Sequence, residues 1–266
     1  PIRMIGYSSA RGDGGKFTLS VTSDFTDGAI VNFNNANSFN ELHNVEISGS
    51  SGSGVSAITG SGRSNIVRNF YIHGLTGGNA HVCGLQNNIT LTNGLISGCT
   101  TANYAAVSLD SASPHVSNIR ITNHTGRGFD GGPHSGVCCI SNCVADGLSG
   151  TEGIAFQNQG AMLWVLLNCT AYNCAKSHYQ TANANAQMLL INCISAKSGA
   201  YDFNTATYAN SILLQNCAYG TSAMASTSGV YPAGYAPMYQ SEVVTFAADP
   251  FNAAGSGDFR LNRTAS

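Results

Sequence analysis

The sequence predicts an all-β solenoid: parallel strands wound into coils of about 24 residues, with an asparagine ladder at one corner. A tetrapeptide keeps returning: ISGC ending at Cys99, ISNC at Cys143, LLNC at Cys169, LINC at Cys193 and LQNC at Cys217. Apolar residues in and just before it fall two apart, which is the period of a strand and not of a helix. The composition suits short strands and tight turns. Only 9% of the 266 residues are charged, and 31 are glycine; an average soluble chain is about 25% charged.

The cysteine phase falls at Ser50, Leu75, Cys99, His124, Cys143, Cys169, Cys193 and Cys217, every 24 to 26 residues except for one interval of 19 after His124. Three positions earlier the residue is always aliphatic: Ile47, Ile72, Ile96, Ile121, Ile140, Leu166, Leu190 and Leu214. Just before the phase stand Gly49, Gly74 and Gly98, then Asn123, Asn142, Asn168, Asn192 and Asn216. Glycine and asparagine best tolerate a left-handed backbone, so a sharp bend belongs there. A second short strand follows, with small inward residues such as Cys169/Ala171 and Cys193/Ser195. About 14 residues ahead of the phase lies a third column: Leu85, Leu109, Phe129, Phe156, Tyr179 and Phe203. Stacked coils sit about 4.8 Å apart, so like falls on like and the five asparagines bond to one another along the axis.

These corners, with the pattern I-x-N-C and an asparagine ladder, resemble the pectin-lyase-like right-handed parallel β-helix superfamily over roughly residues 28–220. The resemblance implies a single-stranded right-handed parallel β-helix. The opening PIRMIGYSSARGD and the closing ADPFNAAGSGDFRLN resemble segments flanking such helices in phage tailspike and other virion proteins and in uncharacterised surface β-helix proteins. That likeness implies a virion or cell-surface setting and a homo-oligomer, either a trimer or an end-to-end assembly. The expected organisation is an entry strand and loop at 1–27 continuing from a missing N-terminal part, the β-helix at 28–220, and a tyrosine-rich closing segment at 221–266. Tyr219, Tyr231, Tyr235 and Tyr239 are expected to plug the core, and SEVVTF to close it.

Charge and cysteine usage narrow the partners. The net charge is −2 and no Lys/Arg run occurs, which argues against nucleic acid and anionic membranes. No apolar stretch is long enough for a membrane span. The nine cysteines sit mostly at one phase beside aliphatic residues, as small buried hydrophobes do. Cys138/Cys139 and Cys169/Cys174 lack the matching second pair of a zinc site, so neither metal nor cofactor is expected.

Chemistry concentrates after the third column, at Gln86, Asp110, Asp130, Gln157, Gln180 and Asn204. One coil apart, Asp110 and Asp130 would lie about 5 Å from each other, and one carboxyl would be pushed upward. Such a pair suits a retaining glycosidase or a cation site. His115 follows Asp110 by five residues and His134 follows Asp130 by four; Arg127, in GRGFDGG, could grip a sugar carboxylate. Asp110, Asp130, His134 and Arg127 are therefore the catalytic candidates, and Gln86, Gln157, Gln180 and Tyr235 the carbohydrate-binding ones. The plainer alternative is that both aspartates shape turns. Glu152, in SGTEG, reads as an isolated solvated carboxylate.

Other matches are weaker. GRGFDG fits G-x-G-x-x-G but opens no helix. RGD at Arg11–Asp13 is a common tripeptide, and Asp24 with Asp27 lack further calcium ligands. Pectate lyases, which use a calcium-binding aspartate cluster and a basic proton acceptor, and polygalacturonases, with NTD, DD, HG and RIK motifs, find no intact counterpart; IHG at Ile72–Gly74 stands alone. The expectation is a β-helical shaft presenting a glycan-binding face to a polysaccharide or cell-surface glycan. A polysaccharide hydrolase or lyase using Asp110/Asp130 and a structural filament or surface-layer subunit are the alternatives.

Overall fold

The structure is a computed structural model describing residues 2–5, 15–21, 28–33, 40–49, 54–61, 64–76, 80–86, 89–110, 113–132, 135–183, 185–205, 212–220, 225–226, 240–241, 244–246, 248–253 and 258–261. Among these there are strands and no helix, and so no helix long and apolar enough to cross a membrane. The chain is a right-handed parallel β-helix. A 16-stranded sheet, here sheet A, and a nine-stranded sheet, sheet B, run side by side along the axis, each strand pairing in parallel with its equivalents in the coils above and below. Ile2–Ile5 and Phe17–Val21 pair with Asn40–Gly49 at one end, and Gln240–Ser241 and Val244–Thr245 continue sheet A at the other.

Each coil of sheet A bends at two left-handed corners, five residues apart. The first is asparagine throughout: Asn44, Asn69, Asn93, Asn118, Asn142, Asn168, Asn192 and Asn216, with φ between 51° and 55°. Amide-to-amide bonds of 3.0 to 3.2 Å run along it, from Asn69 to Asn44, Asn93 to Asn69, Asn118 to Asn93, Asn168 to Asn142 and Asn192 to Asn168. The second corner holds Gly49, Gly74, Gly98, Asn123, Gly147, Asn173 and Lys197, also at positive φ. Its amides bond to the next coil, as Asn123 N–H does to Asp146 O at 3.0 Å.

This corrects the coil spacing. Arg120 pairs with Val144 and Ser117 with Ser141, so Cys143 lies beside Ile119 and Asn142 stacks on Asn118. Asn123 belongs to the second corner. The 19-residue coil does not exist; it came from equating two corners that need the same backbone.

Six of the nine cysteines follow a left-handed residue, where their thiols can donate back across it. Cys143 Sγ reaches Ser141 O at 3.3 Å and Cys217 reaches Gln215 O at 3.3 Å after the first corner; Cys99 and Cys174 do the same after the second, at 3.5 and 3.4 Å. All nine are free thiols, and only Cys139 is not buried.

The core is a set of stacked columns whose sizes offset one another. In sheet A, Ile47, Ile72, Ile96 and Ile121 give way to Ala145, Ala171 and Ser195. Sheet B compensates: Val31, Ile58, Cys83 and Val107 give way to Phe129, Phe156, Tyr179 and Phe203. The aromatic rings stack at 4.9, 5.1 and 5.6 Å. The Tyr179 hydroxyl crosses to sheet A, donating to Cys169 O at 3.2 Å or Ile194 O at 3.0 Å. Close packing demands such trade-offs of volume.

Residues 248–253 pack against the side of the solenoid. Asp249 accepts from the Tyr172 hydroxyl at 2.7 Å and pairs with Lys197 at 2.6 Å, and Phe251 packs edge-on to Tyr172.

Candidate functional site

The outward row of sheet B is polar: Asn32, Thr59, Gly84, Ser108, Asp130, Gln157, Gln180 and Asn204 lie level from coil to coil. Two residues further along, Gln86 and Asp110 form a second row. Asp130 is therefore level with Ser108 and not with Asp110. The two carboxylates sit diagonally, still close enough for Asp110 to push the Asp130 carboxyl upward. Asp110 packs over the backbone of Gly132, where any Cβ would collide with its carboxylate.

The aspartates have opposite surroundings. Asp130 is only 6% exposed. It accepts from Arg127 Nη1 at 3.0 Å and from Gln159 Nε2 at 2.9 and 3.0 Å. Burial pushes it up to about 6, against the pull of Arg127 and Gln159. Arg127 also grips Glu152 through Nη2 at 3.0 Å and Nε at 3.2 Å, and Lys176 reaches the other Glu152 oxygen at 3.3 Å. Glu152 is thus the anchor of an ion network, correcting its reading as isolated. The Asp110 carboxylate, by contrast, makes no hydrogen bond to a described residue.

Gln157 and Gln180 are 4% and 7% exposed, and their carbonyls accept from Gln159 at 3.2 Å and Asn204 at 3.3 Å. They brace the face and offer little to a ligand. Gln86 remains accessible. His115 points elsewhere: it lies on sheet A beside Thr90 and Cys139. His134 and Tyr235 lie outside the described residues, as do Tyr231 and Tyr239.

Asp110 lines a cleft of about 480 Å³ on this face, together with Gln86, Ser108, Gly84, Thr59, His81 and Tyr104. His81 and Tyr104 escaped the sequence reading because neither falls on a repeating column: His81 precedes the strand Cys83–Gln86, and Tyr104 lies within the strand Thr100–Asp110. The backbone N–H of Ala105 donates to His81 Nδ1 at 3.0 Å, and the His81 ring meets Tyr104 edge-on at 5.0 Å. Burial lowers the His81 pKa, with Asp110 pulling the other way.

A second cluster is sealed inside the core. His178 Nδ1 lies 2.6 Å from Ser195 Oγ, which donates to Asp202 at 2.5 Å. All three residues are 0% exposed, so no substrate reaches that serine. Among the described residues no group of three or more His, Cys, Asp or Glu could hold a metal ion.

The fold and the cleft define the class: a parallel β-helix protein with one polar, cleft-bearing sheet face. No protein-family model matches the chain, and neither a curated protein nor a solved structure matches it. Of the likeness to the pectin-lyase-like superfamily, the structure shows the β-helix architecture.

Proposed function

We propose that this chain is the β-helical shaft of a virion or cell-surface protein of the tailspike kind, and that it holds an extended glycan along the outer face of sheet B. One observation carries the reading. The cleft keeps the side chains of Asp110 and Gln86 and His81 Nε2 without partners among the described residues, whereas the polar residues further along the same face are spent on one another. A groove with a few uncommitted polar groups is the usual form of a small-ligand site, and a solenoid face extends it along the axis.

Gly84, on the floor of the cleft, supplies the test, because a Cβ there meets only ordinary contacts, with Thr59 at 3.7 Å and His81 at 3.8 Å. Gly84→Trp fills the cleft without touching the core. Affinity electrophoresis through gels carrying different polysaccharides should retard the wild-type chain in at least one and leave Gly84→Trp unretarded. Equal migration of both in every gel would sink the proposal.

A hydrolase is a second reading, favoured by the raised pKa of Asp130 diagonal to Asp110. Reducing ends released by wild type, and by neither Asp110→Asn nor Asp130→Asn, would select it.

A further inference from the structure

We infer that the cleft selects neutral sugars and that His81 and Asp110 are its recognition pair, one donating to and the other accepting from adjacent hydroxyls. The inference rests on the glycan-binding reading and deepens it.

The tautomer of His81 follows from its backbone contact. Nδ1 accepts the Ala105 N–H at 3.0 Å, so its lone pair is occupied and the neutral ring must carry its proton on Nε2. Tyr104, edge-on at 5.0 Å, holds the ring plane. Nε2–H is then an aimed donor, with no partner among the described residues. Protonating Nδ1 would sacrifice the Ala105 bond, which keeps the ring neutral.

Asp110 is its counterpart, a carboxylate that can only accept. Its strand neighbour Gln86 offers both a donor and an acceptor beside it. A hydroxyl both donates and accepts, so adjacent hydroxyls of one sugar fit this set. The Tyr104 ring, 39% exposed, offers a face to the C–H surface of the sugar.

Charge argues against the acidic alternative. Arg127, whose charge reaches His81, is committed to Asp130 and Glu152 by contacts of 3.0 to 3.2 Å, and Lys176 to Glu152. No Lys or Arg is among the described residues lining the cleft, and its own charge is the negative Asp110. A sugar carboxylate would be repelled.

The test has two arms on the full chain. ¹⁵N spectra of the ring at pH 7 should show His81 as the Nε2–H tautomer; an Nδ1–H ring would overturn the inference by itself. Calorimetric titrations would then compare neutral gluco-, manno- and xylo-oligosaccharides with oligogalacturonate. A neutral oligomer should bind, tenfold or more weaker to His81→Ala and to Asp110→Asn. Oligogalacturonate should bind only after Asp110→Lys. Binding of oligogalacturonate to wild type, or neutral binding unchanged in both variants, would overturn this inference and leave the glycan reading standing. No binding of any probe would overturn both.

Discussion

Arg127 donates to Asp130 across 3.0 Å, three residues along the same strand, and this contact divides the labour between two aspartates that look alike in sequence. It commits Asp130 to the scaffold and leaves Asp110 open to the cleft. Arg127→Met should strand a buried carboxylate and cost about 3 kcal/mol. The Asp130 pKa is already raised, so the neutral form is the one folding favours. The loss should therefore be smallest below about pH 4 and grow as pH rises through 6 and above. Urea unfolding across that range measures it, and Arg127→Met/Asp130→Asn should recover most of the loss.

Asp202 makes a similar prediction inside the core. Burial pushes its carboxyl up to about 6, so its contribution to stability is intact below pH 4 and lost as pH rises through 6. Asp202→Asn still accepts from Ser195 and does not ionise. Its stability relative to wild type should rise by about 2–3 kcal/mol between pH 4 and pH 7. His178, which burial pushes down to about 3, opposes this trend in the wild type.

Gly94 is glycine because Phe70 occupies its side-chain space. A Cβ on Gly94 would run into the Phe70 ring, on the level strand of the previous coil. Gly94→Ala should cost about 2–3 kcal/mol by overpacking. Combined with Phe70→Leu, the alanine should be nearly neutral, and a double-mutant cycle in guanidinium measures that coupling.

The asparagine ladder contributes at each rung. Asn168 donates to Asn142 and accepts from Asn192 at a φ of 54°. Asn168→Ala loses both bonds and strains the backbone, for about 1–2 kcal/mol. Asn168→Gly keeps the backbone at ease and should fall between the two in thermal melts.

The β-helix was legible in the sequence because stacking repeats the same residue at the same place. Ile140, Leu166, Leu190 and Leu214 are one column in both sequence and structure. The register was harder to read, since both corners require a left-handed residue and therefore draw on the same Gly and Asn. Asn123 and Asn142 look equivalent in sequence and stand at different corners. That slip carried Asp130 level with Asp110, where the structure sets it beside Ser108. His81 left no trace in the repeat, because its role comes from the Ala105 amide one coil away, a contact that only the stacked coils create.

The most direct test of the central claim is a crystal structure of the chain with the neutral oligosaccharide it binds most tightly. The sugar should lie along the outer face of sheet B, with hydroxyls about 3 Å from His81 Nε2 and from the Asp110 carboxylate. A sugar bound on sheet A, or on sheet B with neither residue in contact, would contradict it.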